Sequence, residues 1–320
     1  MKTQNPYYIT TEKISVGYDG KPLIEEVEIA LRKGEILTLL GPNGAGKSTI
    51  LKSIARQLSL IAGTVRLDGE DMKSLTGAEL SKKMAVVMTK RLRGELMTCE
   101  DVVATGRYPY TGRFGVLRAE DHAAVQNAMK LVQVAEIGDS LFDRISDGQR
   151  QRVMLARAIC QEPEILILDE PTSALTEKET EVLMQIIRTL KGQGVSIVYI
   201  SHRLEEVFQI CDSATIMRDG QYITTLDVAG TTKDELVRYM VGRDVVYQYG
   251  AGTSKHGKEL LRVEHLTSGN AVKDVSFCVH EGEVLGLAGL EGAGRTELMV
   301  PQKVLRALVS IFFLLMSVGG

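Results

Sequence analysis

One glycine-rich stretch restricts this chain to few folds. Glu35 to Leu58 reads EILTLLGPNGAGKSTILKSIARQL. Ile36 to Leu40 is continuously apolar, as in a strand buried on both faces. Gly41 to Ser48 follows as G-x-x-x-x-G-K-S, and Ile50, Leu51, Ile54 and Leu58 then recur at helical spacing. Strand, glycine loop and helix in that order predict a P-loop in an α/β sheet. The glycines let the backbone approach phosphate and turn its N–H groups inward, and the helix N-terminus adds partial positive charge. Gly41, Pro42, Asn43, Gly44, Ala45, Gly46, Lys47, Ser48 and Thr49 are therefore the candidate nucleotide-binding residues. Lys47 would reach the β- and γ-phosphates and Ser48 would bind Mg²⁺.

A P-loop needs acidic and polar partners at neighbouring strand ends, and the downstream sequence supplies them. EILILDEPTS contains the apolar run Ile165 to Leu168, ending in Asp169 and Glu170. Asp169 can hold Mg²⁺, and Glu170 can orient or deprotonate the attacking water. GVSIVYISHR predicts another buried strand, Val195 to Ile200, ending at His202, which could contact a γ-phosphate. Between these, ISDGQRQRVMLARAI predicts a helix with Val153, Ala156 and Ile159 in its apolar stripe and Ser146 as its cap. With Asp147, Gly148 and Gln149, Ser146 makes a second anion-binding helix end. One P-loop already covers bound phosphates from one side, so a second such end suits a site shared between two protomers.

In these residues the chain resembles the nucleotide-binding subunit of an ABC transporter. GPNGAGKST is similar to its Walker A loop, ISDGQ to its LSGGQ signature, ILILDEP to its Walker B strand, Ser173 to Thr176 to its D-loop, and His202 to its switch histidine. Tyr18 stands 29 residues before Lys47, as the family's adenine-stacking aromatic does. The likeness runs in one order from about residue 10 to 245. It implies ATP and Mg²⁺ as cofactors, and ATP hydrolysis coupled to transport. The implied assembly is a homodimer or heterodimer of ATPase domains, two ATP molecules held between the Walker A of one and the signature of the other. The implied partners are membrane permease subunits and, indirectly, a solute-binding protein, which places the chain peripherally at the cytoplasmic face of the membrane.

Three positions depart from that pattern. Thr89 stands at the end of MAVVM, where the family places a glutamine that reaches metal or water. Asp147 replaces a signature glycine and adds negative charge, and SALT replaces the commoner SALD. A non-transport or catalytically impaired ABC protein is one expectation these departures allow.

The subfamily resemblance changes along the chain. Up to about Pro163 it is to ferric-siderophore, haem and cobalamin importers, carried by MTCEDVVATGRYPYTGRFG, Met97 to Gly115. After about Asp169 it is to the tandem ATPases of ribose- and galactose-type sugar importers. In such importers the permease contacts the helical subdomain, here roughly 89–146, which is the siderophore-like part. The expectation is therefore uptake of an iron-siderophore, haem or cobalamin-type substrate, with a ribose- or galactose-type sugar as the alternative.

Composition adds exclusions. Acidic residues number 41 against 38 basic, a net charge of −3, which gives no electrostatic argument for nucleic acid as a partner. Cys99, Cys160, Cys211 and Cys278 show no metal-ligand spacing and read as reduced thiols of a cytosolic protein. The polar start MKTQNPYYITTEK has no signal-peptide core. Ala307 to Val318 is apolar over 12 residues, short of the roughly 20 needed to span a bilayer.

The predicted organisation is an ABC ATPase domain over 1–245, α/β in class, with a helical subdomain near 89–146 and an antiparallel β subdomain near the N-terminus. A polar, glycine-rich linker covers 246–258. From Asp274, DVSFCVHEGEVLGLAGLEGAGRTEL repeats EVEIALRKGEILTLLGPNGAGKSTI at an offset of 248, with Arg295 in place of Lys47. Residues 259–300 are thus expected to open a second, degenerate ATPase domain, since arginine's planar fork does not replace the lysine's compact charge. Residues 301–320 form an apolar tail.

Overall fold

The computed structural model describes residues 6–42, 44–88, 96–112, 114–173, 175–242, 257–268, 272–283, 285–286 and 298. It divides into two compact units, Met1–Val245 and Val246–Gly320.

A mixed sheet organises the first unit. Its parallel part runs, edge inward, Met84–Val87, Ile165–Asp169, Ser196–Ile200, Ile36–Leu40 and Ser213–Arg218. The strand following Ser213–Arg218, Gln221–Asp227, pairs with it antiparallel. The N-terminal strand Tyr7–Tyr18 pairs antiparallel with Lys21–Val27, Ala30–Arg32 and Ala62–Leu67, which is the expected antiparallel β subdomain.

Each central parallel strand is buried along its whole length, and its residues alternate between two cores. Leu37, Leu39, Ile165, Ile167, Val198 and Ile200 pack with Ile50, Leu51 and Ile54 of helix Lys47–Ile54. Ile36, Leu40, Leu166, Leu168, Ile197 and Tyr199 pack into the other core. Successive strand side chains point to opposite faces, so a continuous apolar run feeds both. The second core also takes helix Glu177–Gly192, through Leu183, Met184, Ile186, Ile187 and Leu190, and the helical subdomain.

That subdomain comprises Cys99–Ala104, a 3₁₀ turn over Thr105–Tyr110, Ala119–Leu131 and Asp147–Cys160. Its entry is set by local chemistry. Thr98 and Asp101 form a reciprocal capping box, as do Ser146 and Gln149 where the third helix begins. Arg107 then closes the bundle. Its Nε donates to Asp121 Oδ1 at 2.9 Å, and its Nη1 donates to the Cys160 carbonyl at 2.9 Å and to Glu162 Oε2 at 2.8 Å. The guanidinium lies 4.0 Å from the Tyr110 ring centre, and the Tyr110 hydroxyl donates to the Gln161 carbonyl.

In the second unit, Glu259–Ser268 pairs antiparallel with Val272–His280. This pair repeats a detail of the first unit. Lys13 (φ 44°) and Glu26 (φ 52°) are left-handed non-glycine residues whose side chains lie 3.7 Å apart. His265 (φ 49°) and Asp274 (φ 54°) are left-handed and paired at 2.5 Å. Asp274 lies 248 residues after Glu26, and His265 lies 252 after Lys13, so the intervening turn is four residues shorter in the second copy. Glu259, Cys278 and His280 bring metal-capable atoms within 4.8 Å of one another, but the Glu259 carboxylate is already engaged by Arg262. Gly289 to Glu297, including Arg295, and the tail 301–320 lie outside the described residues, as does most of the expected linker.

Candidate functional site

The P-loop leaves the C-terminal end of Ile36–Leu40, and its backbone form explains its glycines. Gly41 has φ 154°, and a Cβ there would lie 2.2 Å from the Met217 carbonyl oxygen. Gly46, the residue capping helix Lys47–Ile54, has φ 88°, and a Cβ would lie 2.1 Å from Ile24 Cδ1. That helix has no side-chain cap and no acidic residue in its first turn. Its first amides can serve an anion, in contrast to Cys99–Ala104, Asp147–Cys160 and Glu177–Gly192, which begin with capping boxes. Lys47 is buried, and its ammonium donates to the carbonyls of Gly41 at 2.7 Å and Pro42 at 3.0 Å. Ala45 and Thr49 are buried in the loop and first helical turn; Asn43 lies outside the described residues.

Two strands over, Asp169 closes Ile165–Asp169 and is buried. Ser48 Oγ donates to Asp169 Oδ1 at 3.4 Å, bridging P-loop and acidic strand end. The strand order has a consequence the sequence does not show. Ser196–Ile200 lies between these two strands, so the histidine strand separates the P-loop strand from the acidic one. Glu170 stands just past the strand end with φ 47°, a left-handed backbone unusual outside glycine and of the kind stored at functional sites. Its N–H donates to the Ile200 carbonyl at 3.0 Å. His202 Nδ1 lies 3.7 Å from Glu170 Oε1.

The electrostatics fit an incoming ligand. Burial pulls the Lys47 ammonium below its usual range, against the pull of Glu170 and Asp169. Burial pushes the Asp169 carboxyl up, and repulsion from Glu170 adds to that, while Ser48, Lys52 and Lys47 oppose it. Desolvation disfavours both charged forms, and an opposite charge placed beside each restores it. The hydroxyl and carboxylate oxygens of Ser48 and Asp169 are the hard donors Mg²⁺ takes.

The remaining candidates fall elsewhere. Tyr18 is half-exposed, and its hydroxyl is 3.4 Å from Thr49 Oγ1, at the P-loop side of the N-terminal strands. Ser146 accepts from the Gln149 N–H at 3.2 Å, Gln149 Oε1 accepts from the Ser146 N–H, and Asp147 pairs with Arg150. Gly148 is buried at the first turn of that helix. No contact joins these four residues to the P-loop of the same chain among the described hydrogen bonds. Thr89 lies outside the described residues. Sequence reasoning passed over Glu206, a buried carboxylate behind His202. The available signal was its place in the apolar stripe of Leu204–Ile210, beside Val207 and Ile210.

Comparison with known proteins places these features in one family. Residues 24–173 match the family described as ABC transporter. The chain is 40% identical over 294 residues to the ribose import ATP-binding protein RbsA of Geobacillus kaustophilus, covering 91% of this chain and 59% of that protein. It is 37% identical over 301 residues to the galactose/methyl galactoside import ATP-binding protein MglA 1 of Photobacterium profundum, covering 92% and 60%. The chain thus spans about three-fifths of the length of these relatives. A dimeric ATP-binding cassette solved with ADP and phosphate in a post-hydrolysis state shares the fold. Its TM-score is 0.62 at 24% identity, over 70% of this chain and all of that one.

These relatives overturn the expectation of iron-siderophore, haem or cobalamin uptake. The sugar-importer likeness covers nine-tenths of the chain, whereas the expectation rested on the part up to about Pro163 and on its helical subdomain. The structure gives the physical reason that Met97–Gly115 misleads. Arg107 and Tyr110 of GRYPYTG are spent on Asp121, Cys160, Gln161 and Glu162, so they hold the helical subdomain together rather than read a cargo.

Proposed function

We propose that this chain, whose residues 24–173 match the ABC transporter family, is an ATP-binding domain that hydrolyses ATP to drive import of a ribose- or galactose-type sugar through a membrane permease. The observation that carries the sugar reading is the 40% identity with a ribose import ATP-binding protein over 91% of this chain. The hydrolytic reading is supported by the convergence of Ser48 with Asp169 across the intervening strand and of Glu170 with His202 at adjacent strand ends.

In this reading the P-loop amides and Lys47 bind the phosphates, and Tyr18 stacks on adenine. Ser48 and Asp169 hold Mg²⁺, which supplies charge neutralisation at the β- and γ-phosphates. Glu170 takes the proton of the attacking water, and His202 contacts the γ-phosphate. Ser146, Asp147, Gly148 and Gln149 complete the site of a partner ATPase domain; their described hydrogen bonds are local to their own helix end. Among the described residues no helix is long and apolar enough to cross a membrane. In this reading the chain sits on the permease at the cytoplasmic face. Residues 259–300 open a second, degenerate ATPase domain. The repeated left-handed pair His265 and Asp274 supports this reading alongside the sequence repeat.

The test is copurification of the tagged chain from detergent-solubilised membranes of its source, with identification of the permease, followed by ATPase assays in proteoliposomes. Stimulation by ribose or galactose with the matching binding protein is expected. Stimulation only by an iron chelate, or no ATPase activity with any permease, would refute the proposal.

A further inference from the structure

Three hydroxyls from two separate segments converge on one buried oxygen behind the candidate site. Glu206 Oε2 accepts from Tyr199 at 2.7 Å, from Ser201 at 2.5 Å and from Thr172 at 3.2 Å. Glu206 is 4% exposed, and its second oxygen, Oε1, has no hydrogen-bond partner among the described residues, with Arg203 Nη1 at 3.6 Å. A buried carboxylate short of partners is costly, so such a residue needs a reason.

The donors identify the reason. Ser201 and Arg203 flank His202, and Ser201 Oγ also accepts from the Arg203 N–H at 3.0 Å. Thr172 lies two residues past Glu170. The carboxylate therefore grips the chain on both sides of the histidine and the loop that carries the acid. A second link ties the same two segments, the Glu170 N–H donating to the Ile200 carbonyl. Burial and the neighbouring carboxylate push the Tyr199 hydroxyl far up, so it stays a donor.

We propose that Glu206 is a positioning residue that fixes the separation of His202 and Glu170, 3.7 Å apart here, by clamping Ser201 and Thr172 to one oxygen. The proposal rests on the ATPase reading for its kinetic consequence and on geometry alone for the clamp. Glu206 touches no nucleotide; it acts through the two residues it holds. An orienting group of this kind changes turnover more than nucleotide affinity, because a displacement of about 1 Å at reacting groups can cost up to ~100-fold.

The test uses the full chain with Glu206→Ala, Glu206→Gln, Ser201→Ala, Thr172→Val, His202→Ala and the Glu206→Ala/His202→Ala double variant. Steady-state ATPase kinetics give kcat and KM, and carbon-edited NMR of the histidine rings reports His202, assigned by its loss in His202→Ala. Glu206→Ala is expected to lower kcat by roughly 10- to 100-fold with KM changed less than about twofold. Glu206→Gln, whose amide oxygen accepts from the same hydroxyls, should restore kcat to within about threefold of wild type. In the His202→Ala background Glu206→Ala should add little, since both act through one element. The His202 ring signal should move in Glu206→Ala and stay in Glu206→Gln. A wild-type kcat in Glu206→Ala, a fully multiplicative loss in the double variant, or an unmoved His202 signal would each overturn the clamp. If Glu206→Ala does not fold, Ser201→Ala and Thr172→Val each delete one donor and decide the matter: partial kcat losses support the clamp, and wild-type values in both overturn it. A wild-type chain without ATPase activity would sink the hydrolytic reading instead, and the His202 signal would then settle the clamp by itself.

Discussion

Arg107→Ala should be among the most destabilising single changes in the helical subdomain, by about 3–4 kcal/mol. The figure follows from burial. The Arg107 and Asp121 side chains are 6% and 2% exposed, whereas Glu162, the other carboxylate on Arg107, is 64% exposed. Removing one partner of a buried pair leaves the other charge stranded, at about 3–5 kcal/mol. Asp121 keeps one partner, the Arg118 N–H at 2.9 Å, which draws the estimate toward the low end. Loss of the guanidinium over Tyr110 adds about 1 kcal/mol. The exposed Glu162 contact adds less than ~1 kcal/mol, so Glu162→Gln should be nearly silent. Urea unfolding followed by circular dichroism and tyrosine fluorescence measures this, as the chain has no tryptophan. The Arg118 amide, and then Arg107, hold the Asp121 carboxyl below its usual range. A depressed carboxylate contributes stability above its unfolded value, near pH 3.9, that is lost as pH falls through the folded value. The gap between wild type and Arg107→Ala should therefore narrow in acid. A cost below about 1 kcal/mol, or a Glu162→Gln cost equal to that of Arg107→Ala, would refute the reasoning.

Three further outcomes are expected. Lys47→Ala should abolish nucleotide binding, read by loss of fluorescent-ATP binding in a protein whose melting temperature is little changed, because among the described residues the ammonium bonds to its own loop carbonyls. Glu170→Gln should bind ATP as wild type does and turn over roughly 100- to 1000-fold more slowly in a coupled-enzyme assay, within the range of a general base. In Mg²⁺-free buffer at neutral pH, Asp169→Asn should melt higher than wild type. Burial and Glu170 raise the Asp169 carboxyl, so its ionised form costs stability, and wild type should gain on the variant as pH falls through that raised value. Equal melting curves across pH 4–8, within about 1 °C, would contradict this last expectation.

The P-loop was legible because each of its parts obeys a local rule. Glycines at Gly41 and Gly46 answer to backbone angles and close approach, and the uncapped first turn at Lys47 answers to anion binding. The cap at Ser146 was legible for the same reason, since it closes within four residues. The cargo was misread because GRYPYTG looks like a specificity motif in one dimension, and only packing shows Arg107 and Tyr110 turned into the bundle. Glu206 was missed because its meaning lies in donors that are 5, 7 and 34 residues away and arrive from different elements.

By itself, the sequence determined the class of fold and named the candidate site residues: a P-loop, two acidic residues at a strand end, a strand-terminal histidine and a helix capped by Ser146. Periodicity and turn chemistry are short-range, so a single chain displays them directly. Only the tertiary structure decided the order of the strands, with Ser196–Ile200 between Ile36–Leu40 and Ile165–Asp169. That order puts Ser48 against Asp169 and His202 against Glu170, and sets the buried carboxylate of Glu206 behind them. These contacts depend on which residues the parallel crossovers bring together, and alternating burial fixes faces without fixing neighbours.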